Sequence, residues 1–338
     1  MRLYCGIDLH SNNSYLVVLD ERDRVVYRRR LRNDLELVLQ ALAPFSDQLV
    51  AIAVESTFNW YWLVDGLMDA GYRVHLANPG AMQQYDGLKH ADDRSDARWL
   101  AHMLWLGVLP QGYICPREQR ALRDLLRKRG RLVQQRTANL LSLQNLVHRN
   151  TGQRLGVRAL RSAELTELES GQPDPIRTLA LESTRRVIEC FDDEVLRLER
   201  EILRQLNPDP LLRLLKTVAG VGDVLAPTIR LETGEIGRFA SAGKYVSYCR
   251  SVGSQHTSNK KPKGKGNRKN GNPYLAWAYV EAAHFAIRYH DPVRRFYERK
   301  QARTHRVVAL KAVAHKLARA SYYVMRDQAP FEIGLAFG

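Results

Sequence analysis

Hydrophobic and polar positions along the first hundred residues follow two periods. Leu3 to Ile7 is a short apolar run ending at Asp8, and Tyr15 to Leu19 and Val25 to Arg30 read as the second and third strands of a meander. Leu35 to Leu42 has helical spacing. Val50 to Val54 is wholly apolar, the pattern of a strand buried on both faces. Trp60 to Asp69 predicts a helix and Tyr72 to Ala77 a strand, followed by the turn residues Asn78-Pro79-Gly80. Arg94 to Leu106 is helical again. The order βββαβαβα predicts one sheet with helices packed on it.

Beyond residue 117 only the helical period persists. Leu122, Leu125, Leu126, Leu132 and Val133 form one apolar stripe, continued by Leu140, Leu141, Leu143 and Leu146. Thr151 to Pro175 reads as a connection, and Val187, Ile188, Phe191, Val195, Leu198, Ile202 and Leu203 form a second stripe. Two long amphipathic helices need a partner surface, in each other and in a second copy of the chain. The first carries Arg117, Arg120, Arg123, Arg127, Lys128, Arg129, Arg131 and Arg136. A solvated basic face and a phosphate-contacting arm both fit this run, and the arm is favoured. Residues 211 to 331 form a third, mainly helical segment. Its Val218-Ala219-Gly220-Val221-Gly222 resembles the turn of a helix-hairpin-helix, in which Gly220 and Gly222 would let backbone approach a phosphate. A two-glycine turn between helices also serves structure alone. The expected domains are 1–112, 113–208 and 209–338.

The formal charge of +16 and a pI near 9.9 change this picture, because such a surplus of Lys and Arg calls for a polyanion. Nucleic acid is the expected partner. Cys5, Cys115, Cys190 and Cys249 stand far apart, so neither a disulfide framework nor a zinc site is expected. MRLYCGIDLH has no signal-peptide core and no run is long enough to span a bilayer. A reducing, cytoplasmic setting is expected, with the protein associated with the nucleoid of a prokaryote.

Four carboxylates sit where an RNase H-like nuclease needs them. Asp8 ends the first strand, Glu55 ends the later apolar strand, and Asp93 and Asp96 lie three residues apart at a helix start, on one helical face. Clustered carboxylates repel and need cations; hard oxygen ligands of this kind suit Mg²⁺ or Mn²⁺. One or two such ions would activate an attacking oxygen and stabilise a leaving one. Asp8 could instead be a turn residue, and Asp93 or its neighbour Asp92 a helix N-cap. Glu55 is harder to dismiss, since a carboxylate after Ala-Ile-Ala-Val is costly to bury without a partner. A strand ending in Gly-Ile-Asp also opens actin-like sugar kinases, whose further phosphate loops have no match here.

Between Arg250 and Glu281 there is no Asp or Glu, and Lys260, Lys261, Lys263, Lys265, Arg268 and Lys269 follow one another. The glycines and Pro262 argue against regular structure before a helix beginning near Pro273. Such a basic loop suits a phosphate backbone and can offset charge building on a reacting phosphate. Ser258 precedes it. A serine hydroxyl is a weak nucleophile until activated, Ser254 is a competitor, and His256 could be mistaken for its base. Spacing does not choose among them.

These residues carry a family pattern. GIDLH at 6–10, AVEST at 53–57, NPG at 78–80, SDARWLA at 95–101, the VAGVG turn, GNPYLAWAYVEAAHFAIRY, AHKLARASYYVMRD and PFEIG at 330–334 together resemble the IS110 family of transposases, in particular its IS1111 subgroup, over nearly the whole chain. The resemblance implies a RuvC-like (RNase H-like) α/β N-terminal domain, a coiled-coil helical region and a mainly α C-terminal transposase domain. It implies a DEDD set, here Asp8, Glu55, Asp93 and Asp96, and a C-terminal serine. Matched to the family pattern from the YVSYCRS helix onward, the resemblance carries that serine onto Ser258. It further implies a homo-oligomer, dimer or tetramer, that joins element and target DNA by serine-linked phosphodiester exchange under a structured guide RNA encoded by the element. The alternatives are a junction-resolving endonuclease with water as nucleophile, and a non-catalytic nucleic-acid scaffold.

Overall fold

The computed structural model describes the chain except for residues 83–92, 165–167, 169–173, 254, 259–260 and 266–269; for 93–95, 255–258 and 261–265 only the backbone is described. The chain divides into two compact units, Met1–Arg117 with Ser254–Asn270, and Glu118–Gly253 with Gly271–Gly338. Among the described residues no helix is long and apolar enough to cross a membrane.

The first unit is built on five strands, β1 (Leu3–Leu9), β2 (Asn13–Leu19), β3 (Val25–Arg32), β4 (Leu49–Glu55) and β5 (Val74–Ala77). They lie in the order β3-β2-β1-β4-β5. The first three form an antiparallel meander, and β4 and β5 run parallel to β1. The apolar runs therefore occupy the centre, where a strand is buried on both faces. On one face α1 (Leu35–Leu42) and α2 (Tyr61–Asp69) cover Leu16, Val18, Ile52 and Val54. Asp34 caps α1 by accepting from the backbone N–H groups of Glu36 and Leu37. After β5 comes the single turn α3 (Pro79–Met82) and then α4 (Asp93–Trp105), whose Ala97, Leu100 and Ala101 cover Tyr15, Val17 and Ala53 on the opposite face.

The second unit begins at Glu118, within α5 (Arg117–Thr151), whose first residue belongs to the first unit; the helix is about 50 Å long at 1.5 Å per residue. The short α6 (Val157–Ser162) lies in the connection, and α7 (Pro175–Leu206) returns antiparallel to α5. The direction follows from the pairs Arg129–Glu199 and Arg136–Asp192. Most arginines of α5 are engaged within the protein, while Lys128 and Arg131 stay exposed. Arg127, Arg129 and Arg136 pair with Glu232, Glu199 and Asp192, Arg117 pairs with Asp65 and Asp69, and Arg120 and Arg123 are buried. An arginine that must lie against a helical partner is satisfied by acids of that partner, which a one-dimensional charge run does not reveal.

The remaining elements are α8 (Pro210–Leu215), α9 (Leu225–Thr233), α10 (Ala242–Tyr248), α11 (Pro273–Tyr289), α12 (Asp291–Gln301), α13 (Arg306–Asp327) and α14 (Ile333–Phe337). They enclose one core around Tyr245, Leu275, Tyr279 and Leu317. Gly220 has a φ of 78°, and a Cβ there would lie 2.1 Å from the carbonyl oxygen of Ala282 in α11. Close approach to that helix thus demands glycine at 220, while Gly222 faces open space.

The segment expected to lack regular structure contains a hairpin, β6 (Gln255–Ser258) with β7 (Lys261–Lys265). Its strands pair antiparallel from Gln255↔Lys265 to Ser258↔Lys261, with an irregularity between His256 and Thr257. Backbone pairing across a short connection here overrides weak strand propensity. A two-stranded ribbon leaves outer edges on which Pro262 needs no donor.

Candidate active site

Sheet register brings two of the expected acids together. Ile7 pairs with Val54 at the end of the β1–β4 ladder, so Asp8 and Glu55 are the next residues on adjacent parallel strands. Asp8 shares a face with Gly6, and Glu55 with Ala53, and Gly6 and Ala53 are themselves paired. The row through this level of the sheet reads Arg30, Tyr15, Asp8, Glu55, Ala77. Asp8 is only 2% exposed. His10 Nε2 approaches its Oδ2 to 3.1 Å, at ion-pair distance but off hydrogen-bond alignment. The loop carrying His10 is held by Asn33 and Asn59, whose side-chain amides donate to the His10 carbonyl at 2.8 and 3.1 Å.

A third acid reaches the same end of the sheet on α4. The C-terminal half of that helix is tied to the β2–β3 turn. Arg98 donates to Asp23 Oδ2 at 2.9 Å, His102 Nδ1 lies 2.8 Å from Asp23 Oδ1, and Trp105 Nε1 donates to the Glu21 carbonyl at 3.2 Å. That turn follows Leu19, which pairs with Tyr4 near the start of β1. Helix α4 therefore runs against β1, with its first turn toward the strand ends that carry Asp8 and Glu55. Midway, a Cβ on Gly6 would lie 2.1 Å from the Ala97 carbonyl oxygen and 2.6 Å from the Ala101 nitrogen. Asp96 is the residue before Ala97, half-buried. Asp93 opens α4, but its side chain lies outside the described residues, as does Asp92 altogether. Among the described residues no three His, Cys, Asp or Glu side chains are grouped closely enough to hold a metal ion.

Ser258 closes β6, opposite Lys261; its side chain lies outside the described residues. Lys261, Lys263 and Lys265 fall on β7 and His256 on β6, described by backbone alone. Ser254, Lys260, Arg268 and Lys269 lie outside the described residues. The hairpin belongs to the same compact unit as the five-stranded sheet. In that unit Asn78, which follows β5, has its side-chain nitrogen 3.4 Å from Asn270 Oδ1. In the second unit the two ends of this insertion are pinned together. Arg250 Nη2 donates to the Gly271 carbonyl at 2.9 Å, and the Asn272 N–H donates to the Tyr248 carbonyl at 2.7 Å. Gly271 has a φ of 90°, and Asn272 caps α11.

Sequence reading passed over the arginines of β3. Arg28 pairs with Val17, Arg30 with Tyr15 and Arg32 with Asn13, so all three share the face of Asp8 and Glu55. The signal was the string Tyr-Arg-Arg-Arg-Leu-Arg; a period of two shows that alternate arginines share a face, but not which face.

Comparison with known proteins agrees with this architecture on the class of protein. A family model of DEDD type, described as "Transposase", matches residues 5–150, and the "Transposase IS116/IS110/IS902 family" model matches residues 212–298. A "Probable family 20 transposase" of Pseudomonas aeruginosa is 24% identical over 291 residues, covering 84% of this chain and 83% of its own. The "Transposase for insertion sequence element IS1111A" of Coxiella burnetii is 24% identical over 296 residues, covering 84% and 78%. The chain belongs to the IS110 family of transposases.

Proposed function

We propose that this transposase cuts and joins DNA at a site formed by Asp8, Glu55, Asp93 and Asp96 of an RNase H-like (RuvC-like) domain together with Ser258. The observation that carries this reading is the adjacency of Asp8 and Glu55 at the ends of neighbouring parallel strands, with the first turn of α4 directed to the same end. Support for the fold assignment comes from the sheet order β3-β2-β1-β4-β5, with the acids on its two central strands. Burial of Asp8 beside a second carboxylate is unfavourable unless positive charge offsets it. An all-oxygen, carboxylate donor set fits Mg²⁺ or Mn²⁺. Asp8, Glu55, Asp93 and Asp96 would hold such an ion, which when bound offsets their repulsion and polarises a phosphate oxygen.

In this reading the Ser258 hydroxyl oxygen bonds to phosphorus. The bond from phosphorus to the leaving nucleoside oxygen breaks, and the serine proton ends on that oxygen. A second exchange, in which a DNA hydroxyl displaces the serine, restores the hydroxyl and reseals the strand. Support for a shared site comes from the hairpin belonging to the compact unit of the sheet. The lysines at 260, 261, 263 and 265, with Arg268 and Lys269, would neutralise DNA phosphates near the reacting one. Gly220 and Gly222 are proposed as a second backbone contact to nucleic acid. A division at about 112 and 208 is proposed, with α5 and α7 pairing as a coiled coil that also joins copies into a homo-oligomer. A net charge of +16 is compatible with a structured guide RNA held beside DNA.

The test is a denaturing trap with end-labelled DNA. Wild-type protein should carry the label covalently, Ser258→Ala should not, and Ser254→Ala should. Cleavage that survives Ser258→Ala but is lost in Asp8→Ala would replace serine with water as nucleophile, as in a junction resolvase. Cleavage and metal affinity untouched by Glu55→Gln would leave only a binding scaffold.

A further inference from the structure

We infer that Arg28, Arg30 and Arg32 on β3 form a phosphate-binding track that leads one strand of a DNA duplex across the sheet to the acidic pair. The inference rests on the proposed function and deepens it. Strand β3 is the edge of the sheet. Its Tyr27 and Leu31 face the core beneath α1 and α2. The other face of β3 carries the three arginines, beyond the residues that α4 covers. All three are exposed, and among the described residues none of them takes part in an ion pair. Some arginines of this unit do, Arg24 with Asp20, Arg98 with Asp23 and Arg117 with Asp65, whereas among the described residues Arg22 and Arg29 also take part in none.

The geometry also fits a polymer of phosphates. Alternate residues of a strand are about 6.6 Å apart, so the three arginines are set along β3 as an even row rather than a cluster. Arg30 Nε donates to Asn13 Oδ1 at 2.9 Å, a bond that steadies the middle member and does not use its terminal nitrogens. Arg30 lies in the same cross-sheet row as Asp8 and Glu55. A guanidinium binds phosphate with two parallel hydrogen bonds, so the row grips the backbone without reading sequence.

Charge on an edge strand also discourages edge-to-edge association, whichever face it occupies. Arg29 separates the two explanations. It pairs with Leu16 and so lies on the opposite face of the same strand. The experiment measures binding of the full chain to a labelled DNA duplex of arbitrary sequence, without divalent ions, over a salt series. Arg30→Glu should weaken binding at 0.1 M salt by about tenfold or more, and Arg29→Glu should leave it near wild type. Arg28→Ala with Arg30→Ala and Arg32→Ala should lower the slope of log affinity against log salt by about 2 to 3, at about 0.9 per phosphate contact. Replacing the three with Lys should restore most of the slope, showing that the strand still folds. Equal losses in Arg29→Glu and Arg30→Glu, an unchanged slope in the triple variant, or a loss confined to an RNA duplex would each overturn the track. Those results are independent of the Asp8→Ala and Ser258→Ala cleavage tests, so the track can fail while the proposed chemistry stands.

Discussion

The α-carbon of Gly6 faces the carbonyl oxygen of Ala97 so closely that a Cβ would lie 2.1 Å from it. This contact sets the height of α4 above the sheet, and with it the position of Asp96 relative to Asp8. Gly6→Ala has no flexible side chain to push aside, because both close contacts are backbone atoms. We expect a loss of about 3 kcal/mol in a urea denaturation, at the upper end of overpacking costs. We also expect loss of DNA cleavage at temperatures where the variant remains folded. A Gly6→Ala protein as active as wild type would mean that α4 does not fix the acids.

Metal dependence separates the acids from the scaffold that carries them. Cleavage should vanish with EDTA and return with Mg²⁺ or Mn²⁺. Glu55→Gln should lower the cleavage rate by about a thousandfold, the scale of several kcal/mol of charge stabilisation. DNA affinity measured without divalent ions should change little or rise, since a negative charge is removed. A Glu55→Gln variant that loses binding and cleavage together would assign that carboxylate a role in folding instead.

The second unit contains a buried ionic network whose disruption should be felt at a distance. Glu232, 1% exposed, accepts two hydrogen bonds from Arg127 at 2.7 and 2.8 Å and one from Asn272 at 2.8 Å. The guanidinium of Arg127 also stacks 4.5 Å over the Tyr274 ring. Arg127→Ala leaves a buried carboxylate without its cation and should cost about 3 kcal/mol. Glu232→Gln with Arg127→Met should recover part of that loss in a double-mutant cycle. Because Asn272 both caps α11 and closes the 250–271 stem, Arg127→Ala should also raise proteolytic cleavage within 254–270.

Acid should loosen the turn that anchors α4. Asp20 accepts from the backbone N–H groups of Arg24 and Arg22 and from Arg24 Nε. The Arg24 backbone bond leads the causes that hold its carboxyl below the usual range. A carboxyl with a lowered folded-state pKa stabilises above its unfolded value, near 3.9, and that contribution fades as pH falls through the folded value. Urea midpoints should therefore fall less steeply below about pH 4 in Asp20→Asn than in wild type. At neutral pH Asp20→Asn should be the less stable of the two. Parallel pH curves for both proteins would exclude this turn from acid unfolding.

Much of this was open to sequence. Apolar runs at Leu3–Ile7 and Val50–Val54 announced two buried strands, and each was followed by a carboxylate, Asp8 and Glu55, a costly residue to place there without a partner. The long helices followed from the 3.6-residue period of leucines. Other features depended on which segments meet. The register Ile7↔Val54 made neighbours of Asp8 and Glu55, although they are 47 positions apart in the chain. The acids of α7 and α9 occupied arginines of α5 that looked available, and strand pairing put Arg28, Arg30 and Arg32 on the acidic face and Arg29 on the other. Backbone pairing within a basic, glycine-rich segment made a hairpin where local propensity favoured none. Periodicity is a property of one segment and survives in one dimension. Partner choice is a property of two surfaces, and it exists only once the chain has closed on itself.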